Sequence, residues 1–248
     1  MPFDLPGRAV HWFPSVDSTM TIASQLAREG CPSGTVVVAD RQTAGMGRHG
    51  RSWHSEPGAG LYVSIVLRLE LGSEAIPLVM LALGIGTQQA IAEVSGLAPD
   101  LRWPNDILIH EKKCAGILAN AEGGAIIAGI GINVSHAGFP PDLAPLATSL
   151  RLAGAPDVSR EELLAALVRS IEDSCKILTH EGPAAICEMF THASSYAQGR
   201  RVRVDQGAGF DAGFMEGVTC GVNPSGFLVV RQDNGTETVI LTGGVRPA

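Results

Sequence analysis

The segment Arg41-Gln-Thr-Ala-Gly-Met-Gly-Arg-His-Gly-Arg-Ser-Trp53 constrains this chain more than any other. It interrupts apolar surroundings with three glycines (Gly45, Gly47, Gly50), among which stand the arginines Arg48 and Arg51. The β-branched run before it, 35–41, suits a strand buried on both faces, and 61–69 after it alternates as a second strand. Glycine lets a backbone turn sharply and approach a ligand closely. Arginine offers a forked, permanently charged donor set matched to phosphate and carboxylate. Hung between two strands, such a loop reads as a lid over an anion; the competing reading is a surface hairpin with solubilising arginines. It is not a Walker A loop, because no Gly-Lys-Ser/Thr follows.

The other elements follow from periodicity and punctuation. Residues 10–13 form a short strand, and Ser18 caps a helix that runs to about Glu29 and ends at Gly30. A long helix covers 74–94. Residues 101–109 and 113–122 read as a hairpin with Glu111-Lys112 at its tip, and 125–134 returns as another strand. The lack of strict β-α alternation after the long helix predicts an α+β layout around a mixed sheet. Ser159 and Glu162 make a capping box for a helix to about Thr179, followed by a short helix at 183–192.

From about Gly199 the texture changes to short strand-like runs, 200–204, 209–222, 226–231 and 236–241, separated by Gly, Asn and Asp turns. A small β-barrel or sandwich is expected there, dividing the chain into domains 1–196 and 197–248.

Composition narrows the function classes. The net charge of −7 makes the basic loop a local feature of an acidic protein, and no broad basic face suggests nucleic acid. Five scattered cysteines without a CxxC pair read as reduced thiols. The N-terminal residues lack a signal-peptide pattern, and the longest apolar segment, 76–94, is broken by Gly84, Gly86, Thr87 and two glutamines. A buried helix is expected there, no membrane association, and a cytoplasmic protein.

Further clusters carry chemistry. In Arg102-Trp103-Pro104-Asn105-Asp106 the proline fixes a bend that leaves Asn105 and Asp106 projecting from a rigid turn. Lys113 follows, opening the return strand, so hairpin pairing brings its ammonium near the Asp106 carboxylate. Such a lysine is either a solvated edge charge or a cation aimed at an anionic substrate. In Gly129-Ile-Gly131-Ile-Asn133, glycines inside a strand signal either a bulge or the close approach of a ligand. Asp17-Ser18-Thr19 sits at a helix start, where the hydroxyls cap the helix or face a small polar ligand. The seven histidines show no metal-ligand spacing, and only His49, inside the loop, suggests a site role. There is no GxSxG nucleophile elbow.

Four motifs in order resemble the biotin protein ligase family, the biotin–[acetyl-CoA-carboxylase] ligases. They are Asp17-Ser18-Thr19, the run Gln42 to Trp53, Trp103-Pro104-Asn105-Asp106 with Lys113-x-x-Gly116-Ile117-Leu118, and Gly131-Ile132-Asn133; Thr242-Gly243-Gly244 is a weaker fifth echo. The resemblance implies a class II aminoacyl-tRNA-synthetase-like catalytic domain, a mixed sheet flanked by helices, with a small C-terminal SH3-like β-barrel. It implies that biotin and ATP give biotinyl-5′-AMP and pyrophosphate. A lysine of a biotin carboxyl carrier protein then takes the biotin.

Carried over residue by residue, Ser18, Thr19, Gln42, Gly45 and Gly116 contact biotin, while Arg48 and Lys113 approach its carboxylate and the α-phosphate. Arg51, Trp53, Asn105 and Asn133 belong to the nucleotide side. Asp106 positions Mg²⁺ or the incoming lysine. The catalytic group is Lys113, Arg48 and Asp106. Three positions depart from the family pattern: Met46 and His49 stand where basic residues are common, and Arg102 replaces a lysine. Some members carry an N-terminal DNA-binding repressor domain; the few residues before Asp17 lead us to expect a monofunctional ligase, monomeric or homodimeric, that does not bind DNA. A lipoate–protein ligase and a non-catalytic biotin- or nucleotide-binding module are the alternatives.

Overall fold

Two runs of continuously buried residues set the centre of the molecule. Strand β3 (Gly60–Leu67) is buried at every position, and β7 (Ala125–Asn133) at every position but Gly131. Such runs, rather than alternating ones, are expected of strands covered on both faces. The computed structural model describes residues 3–205 and 214–248. Around these two strands lie β1 (Val10–Phe13), β2 (Val36–Ala39), β4 (Asp100–Arg102), β5 (Asp106–Ile109) and β6 (Lys112–Glu122), giving a seven-stranded sheet in the order β1-β2-β3-β7-β6-β5-β4. Only β1 and β2 pair in parallel; every other neighbour is antiparallel. The sheet is mixed, as the sequence predicts.

Helices cover both faces. The helix α1 (Thr19–Arg28) packs Met20, Ala23 and Ala27 against Val37, Val66 and Ile127. On the other face lie α2 (Ile76–Ser95), α3 (Arg160–His180) and α4 (Pro183–Ala193), over Val36, Val38, Leu61, Val63 and Ile65. Alternate residues of β2 and β3 thus feed two cores, which is the period-2 rule of a strand. Among the described residues, α2 alone is long and apolar enough to cross a membrane, yet its stretch Leu78–Thr87 is buried inside the protein. Gly86 permits this packing, since a methyl group there would lie 2.8 Å from the Ile171 backbone of α3. Helix α3 begins as the capping pattern predicts: the Ser159 hydroxyl accepts the Glu162 N–H at 3.2 Å. Ser18 occupies the N-cap position of α1, but its side chain makes no capping bond there.

The C-terminal residues form a separate antiparallel sheet. It comprises β8 (Gln198–Asp205), β9 (Phe214–Val222), β10 (Leu228–Arg231), β11 (Glu237–Ile240) and β12 (Gly244–Pro247), in the order β11-β10-β9-β8-β12. The start of the expected 209–222 run falls outside the described residues. Strand β12 escapes sequence reading because it is short and ends in proline; its edge position tolerates that residue.

One element needs correcting. The 101–109 stretch is not a single strand but β4 and β5, paired antiparallel with Arg102 opposite Asp106 across the turn 103–105. Pro104 has no N–H to give a ladder, so the chain reverses there. The tip of the next hairpin is His110-Glu111, both with positive φ, one residue earlier than expected.

Candidate active site

The motif residues converge on a single cavity of about 670 Å³, lined from β5, β6, β7, the start of α1, the 42–54 loop and residues 243–247 of the second sheet. Its floor is the ladder of β5, β6 and β7, in which Asp106 pairs with Gly116 and Gly116 with Gly131. The floor is flat because those two positions lack side chains. A methyl group at Gly116 would lie 2.7 Å from Trp53 Cζ3, and one at Gly131 would lie 2.6 Å from Trp53 Cε2. The glycines seen in the sequence are therefore sites of close approach, and the visitor in this state is the Trp53 indole. Its Nε1 is buried without a hydrogen-bond partner.

Lys113 gains its aim from an irregularity. Ile107 pairs with Ala115 while Leu108 pairs with Lys113, so β6 carries an extra residue at Cys114. In a regular strand, positions 113 and 116 face opposite sides. The bulge brings them to the same side, and a methyl group at Gly116 would sit 2.9 Å from Lys113 Cε. Lys113 N–H donates to the Leu146 carbonyl at 2.8 Å and its own carbonyl accepts from Thr148 at 2.9 Å, which pins the backbone on its other edge.

The charges at the rim form one network. Lys113 Nζ lies 2.5 Å from Asp106 Oδ1, and the Arg102 guanidinium 2.7 Å from Asp106 Oδ2. Burial pushes the Asp106 carboxyl up, but the Lys113 and Arg102 cations outweigh it and hold the group below the usual carboxylate range. Lys113 also sits over the Trp53 ring, 5.4 Å from its centroid. Arg48 reaches in from the loop, donating to the Gly243 carbonyl at 2.9 Å and to Asn105 Oδ1 at 3.4 Å. Burial lowers its pKa, and the Asp106 charge opposes that change.

At the inner end the polar groups are neutral: Ser18, Thr19 and Ser64 are buried and Gln42 half-buried. Gln42 Oε1 accepts from the Thr19 N–H at 2.8 Å and from its hydroxyl at 3.1 Å, and the Thr19 and Ser64 hydroxyls are 2.8 Å apart. Ser18 lines the same end, almost fully buried. Ser64 was missed by sequence reading. The available signal was a hydroxyl amid the apolar run of β3, which must find a polar partner once buried.

Asn105 and Asn133 line the cavity but have local bonds: Asn105 donates to the Ile117 carbonyl at 2.9 Å, and Asn133 to the Thr148 carbonyl at 3.0 Å. Arg51 lines the outer rim, its guanidinium 3.9 Å from Asp205. Gly45 lies outside the lining; its carbonyl accepts the Trp53 N–H at 2.8 Å and closes the neck of the loop. The contact of Arg48 with Gly243 ties the second sheet to the site through the Thr242-Gly243-Gly244 echo.

Known proteins are similar to this chain in sequence and fold. The model of the biotin/lipoate A/B protein ligase family matches residues 12–136. The chain is 32% identical over 243 residues to the bifunctional ligase/repressor BirA of Bacillus subtilis, covering 95% of this chain and 73% of that protein. It is likewise 32% identical over 215 residues to the biotin–[acetyl-CoA-carboxylase] ligase of Mycobacterium tuberculosis, covering 85% and 77%. The biotin protein ligase from Aquifex aeolicus in complex with biotin and ATP superposes with a TM-score of 0.82 at 30% identity, covering 97% of this chain and 99% of that one. With the motifs gathered in one cavity and the fold shared from end to end, the chain belongs to the biotin/lipoate A/B protein ligase family.

Proposed function

We propose that this protein is an ATP-dependent biotin–protein ligase. It joins the biotin carboxylate to the α-phosphate of ATP, releases pyrophosphate, and passes the biotinyl group to a lysine of a biotin carboxyl carrier protein. One observation carries the reading: the cavity is neutral and hydrogen-bonding at its inner end and cationic at its rim. A urea-like ring with a carboxylate tail, followed by a nucleoside phosphate, has that same polarity order. The biotin–ATP complex of the Aquifex relative supports the assignment.

In this reading Ser18, Thr19 and Gln42 bind the biotin ring, with Ser64 orienting Thr19 from below. Gly116 gives the tail a flat floor, and Gly45 shapes the loop neck. Lys113 and Arg48 bring two mutually repelling anions together and stabilise charge growing at the α-phosphate. A carboxylate oxygen forms the new bond to phosphorus as the bond to pyrophosphate breaks. The acceptor amine then attacks the acyl carbon and AMP leaves. Arg51, Trp53, Asn105 and Asn133 serve the nucleotide side, and the loop shields the mixed anhydride from water. The units 1–196 and 197–248 are the catalytic domain and a small domain that latches Arg48.

Asp106 does not suit a protein-held Mg²⁺, because each of its oxygens already faces a cation. We assign it instead to positioning Lys113. Any Mg²⁺ needed by the reaction would then be held by the ATP phosphates and its own waters, with no ligand from Asp106.

The test is direct. Incubated with ATP, Mg²⁺, a carrier domain and labelled biotin or lipoate, the protein is expected to label the carrier with biotin only and to need ATP. Labelling by lipoate without biotin, or none at all, would overturn the assignment.

A further inference from the structure

At the edge of the ligand cavity, which His54 and Phe139 also line, the arm of the loop that follows Trp53 meets the end of β7 in a cluster to which the proposed reaction gives no role. His54, Glu56 and His136 each offer a ligand atom, and the three atoms lie within 4.8 Å of one another. His54 is half-buried, Glu56 exposed and His136 fully buried. His54 and Glu56 stand two residues apart on the loop arm, but His136 comes from beyond β7, so the trio forms no local ligand motif.

The hydrogen bonds around His136 favour one tautomer of its ring. The Tyr62 hydroxyl donates to the Glu56 carbonyl at 3.2 Å, since a carbonyl can only accept. With that hydrogen on the Glu56 carbonyl, the same oxygen is placed to accept from His136 Nε2, 3.4 Å away, which favours the tautomer protonated there. The tautomer with the hydrogen on Nε2 leaves a lone pair on Nδ1, and that atom is buried with no partner. An unpaired buried acceptor is costly, and a metal ion satisfies it. A ligating histidine whose other nitrogen donates to an orienting group is the usual outer-shell arrangement. Phe139 stacks on the His136 ring at 5.1 Å between centroids and holds its plane.

We propose that His54, Glu56 and His136 form a binding site for a divalent transition-metal ion of the zinc type, with a fourth position open to water. Two imidazoles and one carboxylate match that ion, whereas Mg²⁺ and Ca²⁺ prefer oxygen ligands. A tetrahedral zinc holds its ligand atoms about 3.4 Å apart, from metal–ligand bonds of about 2.0–2.1 Å. The cluster closes to that spacing by rotating the His54 and Glu56 side chains, which reach solvent. Metal binding here clips the segment just after Trp53 to the residues just after β7.

Calorimetric titration of the full chain with zinc alone, without biotin or ATP, tests this. One equivalent is expected to bind, and H54Q and E56Q, substitutions at solvent-accessible side chains, should each weaken it by at least about tenfold. Cobalt in place of zinc should give the visible bands of a tetrahedral site without thiolate charge transfer, separating it from the partly exposed Cys31 and Cys220. Absence of binding, equal affinity in the wild type and both variants, or a thiolate band would each overturn the proposal.

Discussion

The floor of the cavity and the loop above it carry similar charges on very different supports. Lys113 stands on a strand bonded along both edges, with its ammonium against a half-buried carboxylate. The loop is held by a few bonds: Gly47 N–H to the Arg51 carbonyl at 2.6 Å, Trp53 N–H to the Gly45 carbonyl, and Arg48 to Gly243. Arg51 keeps 69% of its side chain exposed and Met46 is 54% exposed. A charge on the floor is pre-organised, so its worth is realised in the transition state. A charge on the loop must first be ordered, and that entropy comes off its contribution.

If that contrast holds, the largest loss comes from the floor. Lys113→Ala should lower the rate of pyrophosphate release by about 10²–10³-fold, the usual effect of removing one pre-organised charge-stabilising donor. Biotin affinity, measured separately by calorimetry, should fall far less. The variant also leaves Asp106 with Arg102 as its remaining close cation, so its carboxyl should move up from its depressed position. Pyrophosphate release at the wild-type rate would show that the floor cation is not the decisive one.

The second prediction probes where the two regions touch. Gly131→Ala drives a methyl group into the Trp53 ring, and overpacking of this kind costs about 1–3 kcal/mol. Thermal unfolding should register that loss in the ligand-free protein. Combining it with Trp53→Ala should remove most of the penalty, because the clash then has no partner. Additive losses in the double variant would mean that the indole does not rest on the floor in solution.

The same contrast explains what the sequence made legible. The sheet, the helices and the coming together of Asp106 with Lys113 followed from apolar periodicity and hairpin pairing, which are local signals. Gly116 and Gly131 were visible as glycines in strands, but not that Trp53 fills the space above them. The bulge at Cys114 was invisible, since it depends on how β5 and the 146–148 segment share β6. Ser64 and the His54–Glu56–His136 cluster join residues far apart in the chain, and only tertiary contact reveals them. The turn at Pro104 was legible, but the strand reading of 101–109 ran through it, so the division into β4 and β5 was only half seen.

The smallest effect belongs to the loop's own odd residue. Met46 stands where the family resemblance leads us to expect a basic side chain; it lines the cavity, and more than half of it faces solvent. Met46→Arg adds a cation near the anionic intermediate, but at a solvated position on a loosely held backbone. Exposed charge pairs are worth about 0.2–1 kcal/mol, so retention of the acyl-adenylate should improve by no more than about fivefold. The gain should shrink as salt is raised, since screening acts on exposed charges first. Dissociation of labelled adenylate, followed at low and high ionic strength, measures both. A much larger, salt-insensitive gain would mean that position 46 becomes buried once ligand is bound. The loop would then be as pre-organised as the floor in the liganded state, and the difference between them would be a property of the empty enzyme alone.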